Sequence, residues 1–225
     1  MMALAMTQEP MVPETSDRRA VFGQQLDVLA DIYQEEVNLA TWQRELPTAL
    51  VEATGKILLA KPKLQVSLVL GPKAAYENLV AALGTEPEAQ VLATDIAELV
   101  DMLCYLFELK QVGLRLSALG HAMCPRFHVD RVPCRLVSTY IGSATEWLPH
   151  DRIDRSKLGG GRDRMPDGDS GLYASSPDIQ HLKAGAVALL KGESWEGNEG
   201  AGLVHRSPQL AKGACRLLLT LDFVN

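Results

Sequence analysis

Residues 124–147 read CPRFHVDRVPCRLVSTYIGSATEW, and the rest of the chain is interpreted around them. His128 and Asp130 stand two residues apart in a β-leaning run, so their side chains would share one face of a strand, about 6–7 Å apart at the backbone. Two imidazoles and one carboxylate form the facial set that holds ferrous iron with open positions. The pair therefore predicts two such ligands, and His205, 77 residues downstream, is the best candidate for the third.

A lone arginine, Arg216, opens the apolar run RLLLTLDFV eleven residues after His205. Burying an arginine at the head of such a strand is costly unless an anion pairs with it. The carboxylate of an anionic co-substrate would be a suitable partner, because a guanidinium binds a carboxylate through two parallel hydrogen bonds. The alternatives are a salt bridge to Asp222 or Glu193, or exposure at the strand end.

The composition describes an ordinary globular protein of 225 residues, 47% apolar and 22% charged, large enough for one large domain or two small ones. A net charge of −6 argues against a nucleic-acid partner. The sequence has no apolar run of the roughly 18 residues that a membrane span needs, and its start lacks the basic segment of a signal peptide. Its four cysteines then indicate reduced thiols and a cytoplasmic location.

The spacing of apolar residues predicts an α+β chain with a helical first half and a β-rich second half. We expect a disordered leader at 1–16, a helical region at 17–115 and a β domain at 116–225, with a soft boundary between the halves. Helices are predicted at 18–39, 48–59, 73–83 and 87–111, with a strand at 64–70. Strands are predicted at 126–130, 135–141, 145–148, 186–190, 202–206 and 216–224. The Gly-rich segment 149–177 is predicted to be a mobile loop or lid.

The order His128-x-Asp130, His205, Arg216 resembles that of the iron(II)/2-oxoglutarate oxygenases, over roughly 124–225. This resemblance implies a cupin-like or jelly-roll-like double-stranded β-helix as the metal-binding domain, with the N-terminal helical region packed on it. More closely, FHVDRVPCRLVSTYIGSATEWLP, GAVALLKGE, GLVHRSP and RLLLTLDF resemble the bacterial family known as domain of unknown function 1826, over most of the chain. That family implies a link to zinc homeostasis and to CobW-type metal-chaperone GTPases.

The oxygenase resemblance assigns a role to each matching residue of this chain. His128, Asp130 and His205 would bind Fe(II), and the 2-oxoglutarate tail would pair with Arg216. Hydroxyl or further polar contacts to 2-oxoglutarate are expected from Thr220, Arg135 and Thr139. The activity implied is that of a dioxygenase, an oxidoreductase acting on a small molecule or protein that the sequence does not identify.

A different set of ligands lies in the same stretch. His121, Cys124 and Cys134 accompany His128 and Asp130 within fourteen residues, and a zinc ion takes four ligands from such a set. The sequence therefore keeps open a zinc-linked metal-handling protein without oxygenase activity. Both cysteines would otherwise be small buried hydrophobes, and a non-catalytic cupin-like module is the remaining alternative.

Overall fold

The computed structural model describes residues 17–159 and 165–224, and in them three α-helices accompany two β-sheets. The helices are α1 (Thr48–Ala60), α2 (Pro72–Leu83) and α3 (Pro87–Leu106), preceded by a 3-10 segment, Leu26–Tyr33. The strands are β1 (Arg19–Gly23), β2 (Val37–Trp42), β3 (Gln65–Leu70), β4 (Val112–Leu119), β5 (Cys134–Ile141), β6 (Glu146–Leu148), β7 (Gln180–His181), β8 (Val187–Lys191), β9 (Val204–Arg206) and β10 (Arg216–Phe223). None of the helices in this part of the chain is long and apolar enough to cross a membrane.

The strands form a seven-stranded sheet of order β1-β2-β8-β5-β10-β4-β3 and a three-stranded sheet of order β7-β6-β9. An isolated antiparallel bridge from His128 to His205 adds a fourth segment to the small sheet, beside β9. From β4 onward the chain passes repeatedly between the sheets, and β6 and β7 follow each other within the small one. Apolar residues of both sheets meet in one buried cluster, to which β5 contributes Val137 and β6 contributes Trp147.

The larger apolar core joins the other face of the seven-stranded sheet to the helices. Ile96 and Leu99 of α3 share this cluster with Leu217, Leu219 and Leu221 of β10. Because side chains alternate along a strand, the even-numbered residues of β10 point away from this core. One face of β10 is thus apolar and helix-facing, while the other is available to a site between the sheets.

The predicted helix at 18–39 is wrong, because this segment folds as β1, the 3-10 segment and β2. β2 lies between β1 and β8, and its residues 37–41 are buried on both faces of the strand. A strand buried on both faces shows a continuous apolar run rather than strict alternation, and such a run is easily taken for part of a helix. Pairing with β8, about 150 residues away in the chain, decides the outcome.

The boundary between the halves falls inside β4, a strand that the sequence pattern did not predict. Helix α3 ends at Leu106 rather than near residue 111, and Glu108 follows with a φ of 52°, a left-handed conformation that does not continue a helix. β4 then pairs with β3 on one side and β10 on the other. The N-terminal half is therefore not purely helical, and three of its strands extend the sheet of the C-terminal half.

The described part of segment 149–177 packs against the small sheet. Leu172 is fully buried beside Phe127 and Val204, and the backbone N–H of Phe127 donates to Asp167 Oδ2 at 2.7 Å. These contacts anchor the segment that carries His128. The predicted leader at 1–16 lies outside the described residues, as does the centre of the Gly-rich segment, 160–164.

Candidate metal centre

Backbone pairing brings two of the predicted ligands together. His128 and His205 lie directly opposite each other as an antiparallel pair, and each donates its backbone N–H to the carbonyl of the other at 3.0 Å. Opposed residues on paired strands have neighbouring side chains. Their imidazole centroids are accordingly 4.6 Å apart.

Asp130 completes a cluster whose three ligand atoms all lie within 4.8 Å of one another. Its Oδ2 is 3.4 Å from Nε2 of His205, and its Oδ1 is 3.9 Å from Nε2 of His128. The structure thus brings together all three residues that the sequence predicted as ligands. It is the one such group of His, Cys, Asp or Glu side chains in residues 17–159 and 165–224.

Both imidazoles are oriented for metal binding by a backbone carbonyl. Nδ1 of His128 lies 2.9 Å from the carbonyl oxygen of Arg126, and Nδ1 of His205 lies 3.1 Å from that of Leu203. A carbonyl only accepts, so each Nδ1 carries the proton and Nε2 is left to bind a metal. Burial lowers the pKa of His128, and the neighbouring His205 lowers it further, which favours the neutral form that a metal requires.

Asp130 is held as a carboxylate by its neighbours. Burial acts to raise its pKa, but hydrogen bonding and charge from His205 and the charge of Arg135 outweigh that effect and lower the pKa to about 2. Two neutral imidazole nitrogens and one ionised carboxylate suit iron(II). The residues present therefore fit the metal that the sequence predicted.

Close backbone contact places the Asp130 segment against β8. The N–H of Glu193 donates to the Asp130 carbonyl at 2.9 Å, and the N–H of Gly192 donates to the Pro133 carbonyl at 2.9 Å. A Cβ at position 192 would lie 2.1 Å from the carbonyl oxygen of Val132 and 2.8 Å from that of Asp130. Gly192 is therefore needed for this approach.

A cavity of about 220 Å³ lies beside the cluster, between the two sheets. His128 and His205 line one part of it, and the even-numbered residues 216, 218 and 220 of β10 line another. The remaining lining residues are Arg115, Ser117, Met123, Cys124, Arg135, Val137, Thr145, Arg206 and Ser207. The two predicted histidine ligands and the predicted co-substrate arginine therefore share one cavity, with Asp130 beside the histidines.

Arg216 is 1% exposed, and its only hydrogen bonds among the described residues go to two hydroxyls. Nη2 donates to Thr139 Oγ1 at 3.1 Å and to Thr145 Oγ1 at 2.7 Å. Within residues 17–159 and 165–224 its Nε has no partner, and neither has the buried Oγ1 of Thr220. Burial lowers the pKa of Arg216 to about 10, and the charge of Glu146 offsets only part of that effect.

Arg216 is neither paired with Asp222 or Glu193 nor exposed at the strand end, which were the alternatives to an anionic co-substrate. Asp222 instead pairs with Arg135 and Arg115, each through a contact of 2.6 Å. Glu193 pairs with Arg155 at 3.0 Å. The arginine is buried at the head of β10, and the described part of the chain provides no carboxylate for it within 4.0 Å.

Arg135 and Thr139 lie on the same face of β5 but contact different partners. Arg135 donates from Nη1 to Asp130 Oδ2 at 2.8 Å and from Nε to Asp222 Oδ1 at 2.6 Å. Thr139 contacts Arg216, as described above. Tyr140 points to the opposite face, as the alternation along β5 predicted, where its hydroxyl donates to Asp95 at 2.6 Å.

The alternative zinc ligands are not brought together. His121 and Cys124 are exposed, and Cys124 lines the cavity. Cys134 is 1% exposed in the helix-facing core, and burial raises the pKa of its thiol. Cys134 and Arg135 are adjacent on β5, so their side chains point to opposite faces of the sheet.

Two residues of the site were not predicted from the sequence. Thr145 makes the shorter of the two hydroxyl contacts of Arg216, and Asp222 anchors Arg135. Asp222 lies an even number of residues after Arg216 on β10, so the alternation of that strand would have placed both on the cavity side. For Thr145 the sequence carries no comparable signal, because this residue follows the turn after β5.

The fold and the site define a class: a protein with two β-sheets that places a His-Asp-His cluster able to hold a metal ion beside a buried arginine. The family model described as "Protein of unknown function (DUF1826)" matches residues 23–222, and the chain belongs to that family. No sequence among curated proteins matches the chain significantly.

Solved structures similar to this chain include members of the 2OG-Fe(II) oxygenase family, at low sequence identity. The rice dioxygenase for auxin oxidation is 10% identical, with a TM-score of 0.47 over 83% of this chain and 73% of that one. Its Arabidopsis thaliana counterpart, solved with 2-oxoglutarate, is 9% identical, with a TM-score of 0.45 over 92% of each chain. A Pseudomonas putida prolyl-4-hydroxylase is 14% identical, with a TM-score of 0.43 over 87% of this chain and 96% of that one.

Proposed function

We propose that this protein is a mononuclear non-haem iron(II) oxygenase that uses 2-oxoglutarate. One observation carries the proposal: the two histidines of the His-Asp-His cluster line the same cavity as a buried arginine for which residues 17–159 and 165–224 provide no carboxylate partner. A metal site alone would be compatible with many functions. The arginine adds a requirement for an anion beside the metal.

The strand order supports the proposal. Residues 112–223 pass repeatedly between the two sheets: β4, β5, β8 and β10 lie in the large sheet, and the His128 segment, β6, β7 and β9 lie in the small one. We infer that they form a double-stranded β-helix, with the ligands on the small sheet and Arg216 on the large one. In that arrangement, metal and co-substrate are held from opposite walls of the cavity.

Each residue then has a defined task. Nε2 of His128, Nε2 of His205 and the carboxylate of Asp130 would hold the iron. Iron(II) with 2-oxoglutarate supplies oxygen activation and the oxidation of a substrate C–H bond, and the protein supplies position and a dry pocket.

Arg216 would bind the distal carboxylate of 2-oxoglutarate. A buried guanidinium with an unpaired Nε is costly, and a carboxylate pairs with it through charge-assisted hydrogen bonds. Thr139 and Thr145 accept hydrogen bonds from Arg216, so their own O–H groups remain able to donate to that carboxylate. The unpartnered hydroxyl of Thr220 is a third donor on the same wall.

The test is metal analysis and 2-oxoglutarate binding on protein purified without oxygen. We expect about one iron per chain, lost in a His128→Ala, Asp130→Ala variant, and a visible absorption band when 2-oxoglutarate joins the iron form. Succinate release then measures turnover. Zinc that survives in the variant, or iron protein that neither binds nor consumes 2-oxoglutarate, would overturn the proposal.

A cytoplasmic location and a functional link to a CobW-type metal-chaperone GTPase stay predictions from the sequence. Co-purification of such a GTPase with the tagged protein would test the link.

A further inference from the structure

We propose that Arg135 is a positioning residue that restricts Asp130 to binding the metal through one oxygen, and that Asp222 and Arg115 hold Arg135 in that role. The inference rests on the proposed function for its consequence, since a co-substrate needs open positions on the metal. Its structural basis is a row of four charged side chains, Arg115, Asp222, Arg135 and Asp130, which we call the ion-pair row.

The ion-pair row crosses three neighbouring strands and ends at the metal ligand. Arg115 of β4 donates to Asp222 Oδ2 at 2.6 Å, and Asp222 on β10 lies directly opposite Arg135 on β5. Arg135 donates to Asp222 twice, from Nε at 2.6 Å and from Nη2 at 3.1 Å. Its remaining Nη1 donates to Asp130 Oδ2 at 2.8 Å.

Both ends of the Arg135 guanidinium are therefore fixed. A guanidinium is planar, so anchoring one edge on Asp222 sets the direction of the N–H that reaches Asp130. That direction fixes the rotation of the Asp130 carboxylate. The carboxylate of Asp222 is in turn fixed by Arg115, whose side chain is 55% exposed at the outer end of the row.

The two oxygens of Asp130 consequently differ. Arg135 occupies a lone pair of Oδ2 and places a positive charge 2.8 Å from it, which disfavours a second cation on that oxygen. Oδ1 receives no hydrogen bond from the described side chains and faces Nε2 of His128. A carboxylate that binds through both oxygens would occupy one more position on the metal than a carboxylate that binds through one. Arg135 thus keeps that position open.

Manganese(II) can report this position without any turnover, because bound water on Mn(II) accelerates the relaxation of bulk water protons. In an Arg135→Gln variant we expect Mn(II) to bind as tightly as in the wild type or more tightly. The relaxation enhancement per bound Mn(II) should be lower by about a third, because the second carboxylate oxygen displaces one of three metal-bound waters. Affinity for 2-oxoglutarate, measured by calorimetry on the Mn(II) form, should fall by roughly tenfold for the loss of one metal position.

Two further variants keep the test decisive. Asp222→Asn retains the charge of Arg135 but loosens its anchor. It should lower the relaxation enhancement and the affinity for 2-oxoglutarate by less than Arg135→Gln does. The double variant should behave like Arg135→Gln alone. Arg44→Gln is the matched control, because Arg44 makes an equally close bidentate pair with Asp95, which lies on α3 rather than in the metal cavity. It should lower thermal stability and leave the relaxation unchanged.

The outcomes separate the two proposals. Unchanged relaxation in Arg135→Gln, or a tenfold loss of metal affinity together with stability, would overturn the positioning role and leave only a structural one. Wild-type protein that binds Mn(II) with the expected change in Arg135→Gln, but binds no 2-oxoglutarate, would overturn the proposed function and leave the positioning role standing. Wild-type protein that binds no metal would overturn both.

Discussion

His128 and His205 are paired backbone to backbone, with an N–H to carbonyl hydrogen bond of 3.0 Å in each direction. The spacing of the two imidazoles is therefore set by strand pairing rather than by the conformation of the 76 residues between them. Those intervening residues include the chain segment 149–177, which makes its own contacts with the small sheet. The ligand pair can persist while that segment varies.

Replacing Gly192 with alanine should weaken metal binding without removing any ligand. The added Cβ would meet the carbonyl oxygens of Val132 and Asp130, so the segment carrying Asp130 must move away from β8. We expect metal affinity to fall by roughly 10–100-fold, the range found when groups that orient ligands are altered. Gly120→Ala is the control, since a Cβ there meets nothing within 4 Å. Equal affinities for the two variants would contradict the close-approach role of Gly192.

Replacing Arg216 with methionine should separate stability from co-substrate binding. The described part of the chain gives the buried arginine no carboxylate partner, so we expect the free energy of unfolding to change by no more than about 1 kcal/mol. Affinity for 2-oxoglutarate should fall by at least roughly thirtyfold, since a charge-assisted contact is lost. Urea denaturation and calorimetry measure the two quantities.

Arg44→Met provides the contrast to Arg216→Met. It would leave Asp95 half-satisfied in the helix-facing core, and we expect it to cost about 3 kcal/mol while 2-oxoglutarate affinity is retained. If the Arg216 variant were the less stable one, Arg216 would have a structural partner that accounts for its burial.

Lys191 should make the folded state more stable as pH rises through the alkaline range. Burial lowers its pKa to about 8 from the ordinary value of 10.5, and the nearby charge of Arg18 adds to that effect. Between these two values the unfolded chain binds more protons than the folded one, so the free energy of unfolding rises with pH. We expect a gain on the order of 2 kcal/mol between about pH 8 and about pH 10.5.

A Lys191→Met variant tests this by urea denaturation across the same pH range. The part of the rise in the free energy of unfolding with pH that is due to Lys191 should disappear. The variant should also be more stable than the wild type near neutral pH. The side chain also donates to the carbonyl of Gln34 at 2.8 Å, so a variant that is less stable at every pH would show that this hydrogen bond outweighs the cost of the charge.

A Cys124→Ser, Cys134→Ser double variant should keep its metal. Neither thiol belongs to the His-Asp-His cluster, and Cys134 lies in the core on the other side of the sheet. We expect unchanged metal content by elemental analysis, with some loss of stability because a hydroxyl replaces a buried thiol. Loss of metal would favour the cysteine-based zinc site instead, and a single Cys124→Ser variant would show which thiol is responsible.

The sequence predicted the parts of the fold that depend on short-range pattern. The strands near 135–141, 186–190 and 216–224 and the helices near 48–59 and 73–83 are all present in the structure, with small shifts at their ends. Their side chains alternate or recur with the period of the element that they form. The pairing of His128 with Asp130 followed from spacing in the same way, because two residues on a strand share a face, and the structure brings His205 beside them.

The sequence could not supply the features that depend on distant partners. β2 is a strand because β8 pairs with it, and β4 is a strand because β3 and β10 flank it. The partners of Arg135 depend likewise on a register that only the folded sheet defines. Arg135 was predicted to contact the co-substrate, whereas the structure engages it with two carboxylates of the chain itself.

Strand β10 carries Leu217, Leu219 and Leu221 on one face and Arg216, Thr220 and Asp222 on the other. Inserting or deleting a single residue before this strand would exchange the two faces, so charged groups would enter the helix-facing core while leucines filled the cavity. The chain therefore cannot change the register of its binding wall without unfolding its core. Among related sequences we therefore expect no insertions or deletions within β10, whereas the loops that flank it can vary in length, whichever substrate the cavity binds.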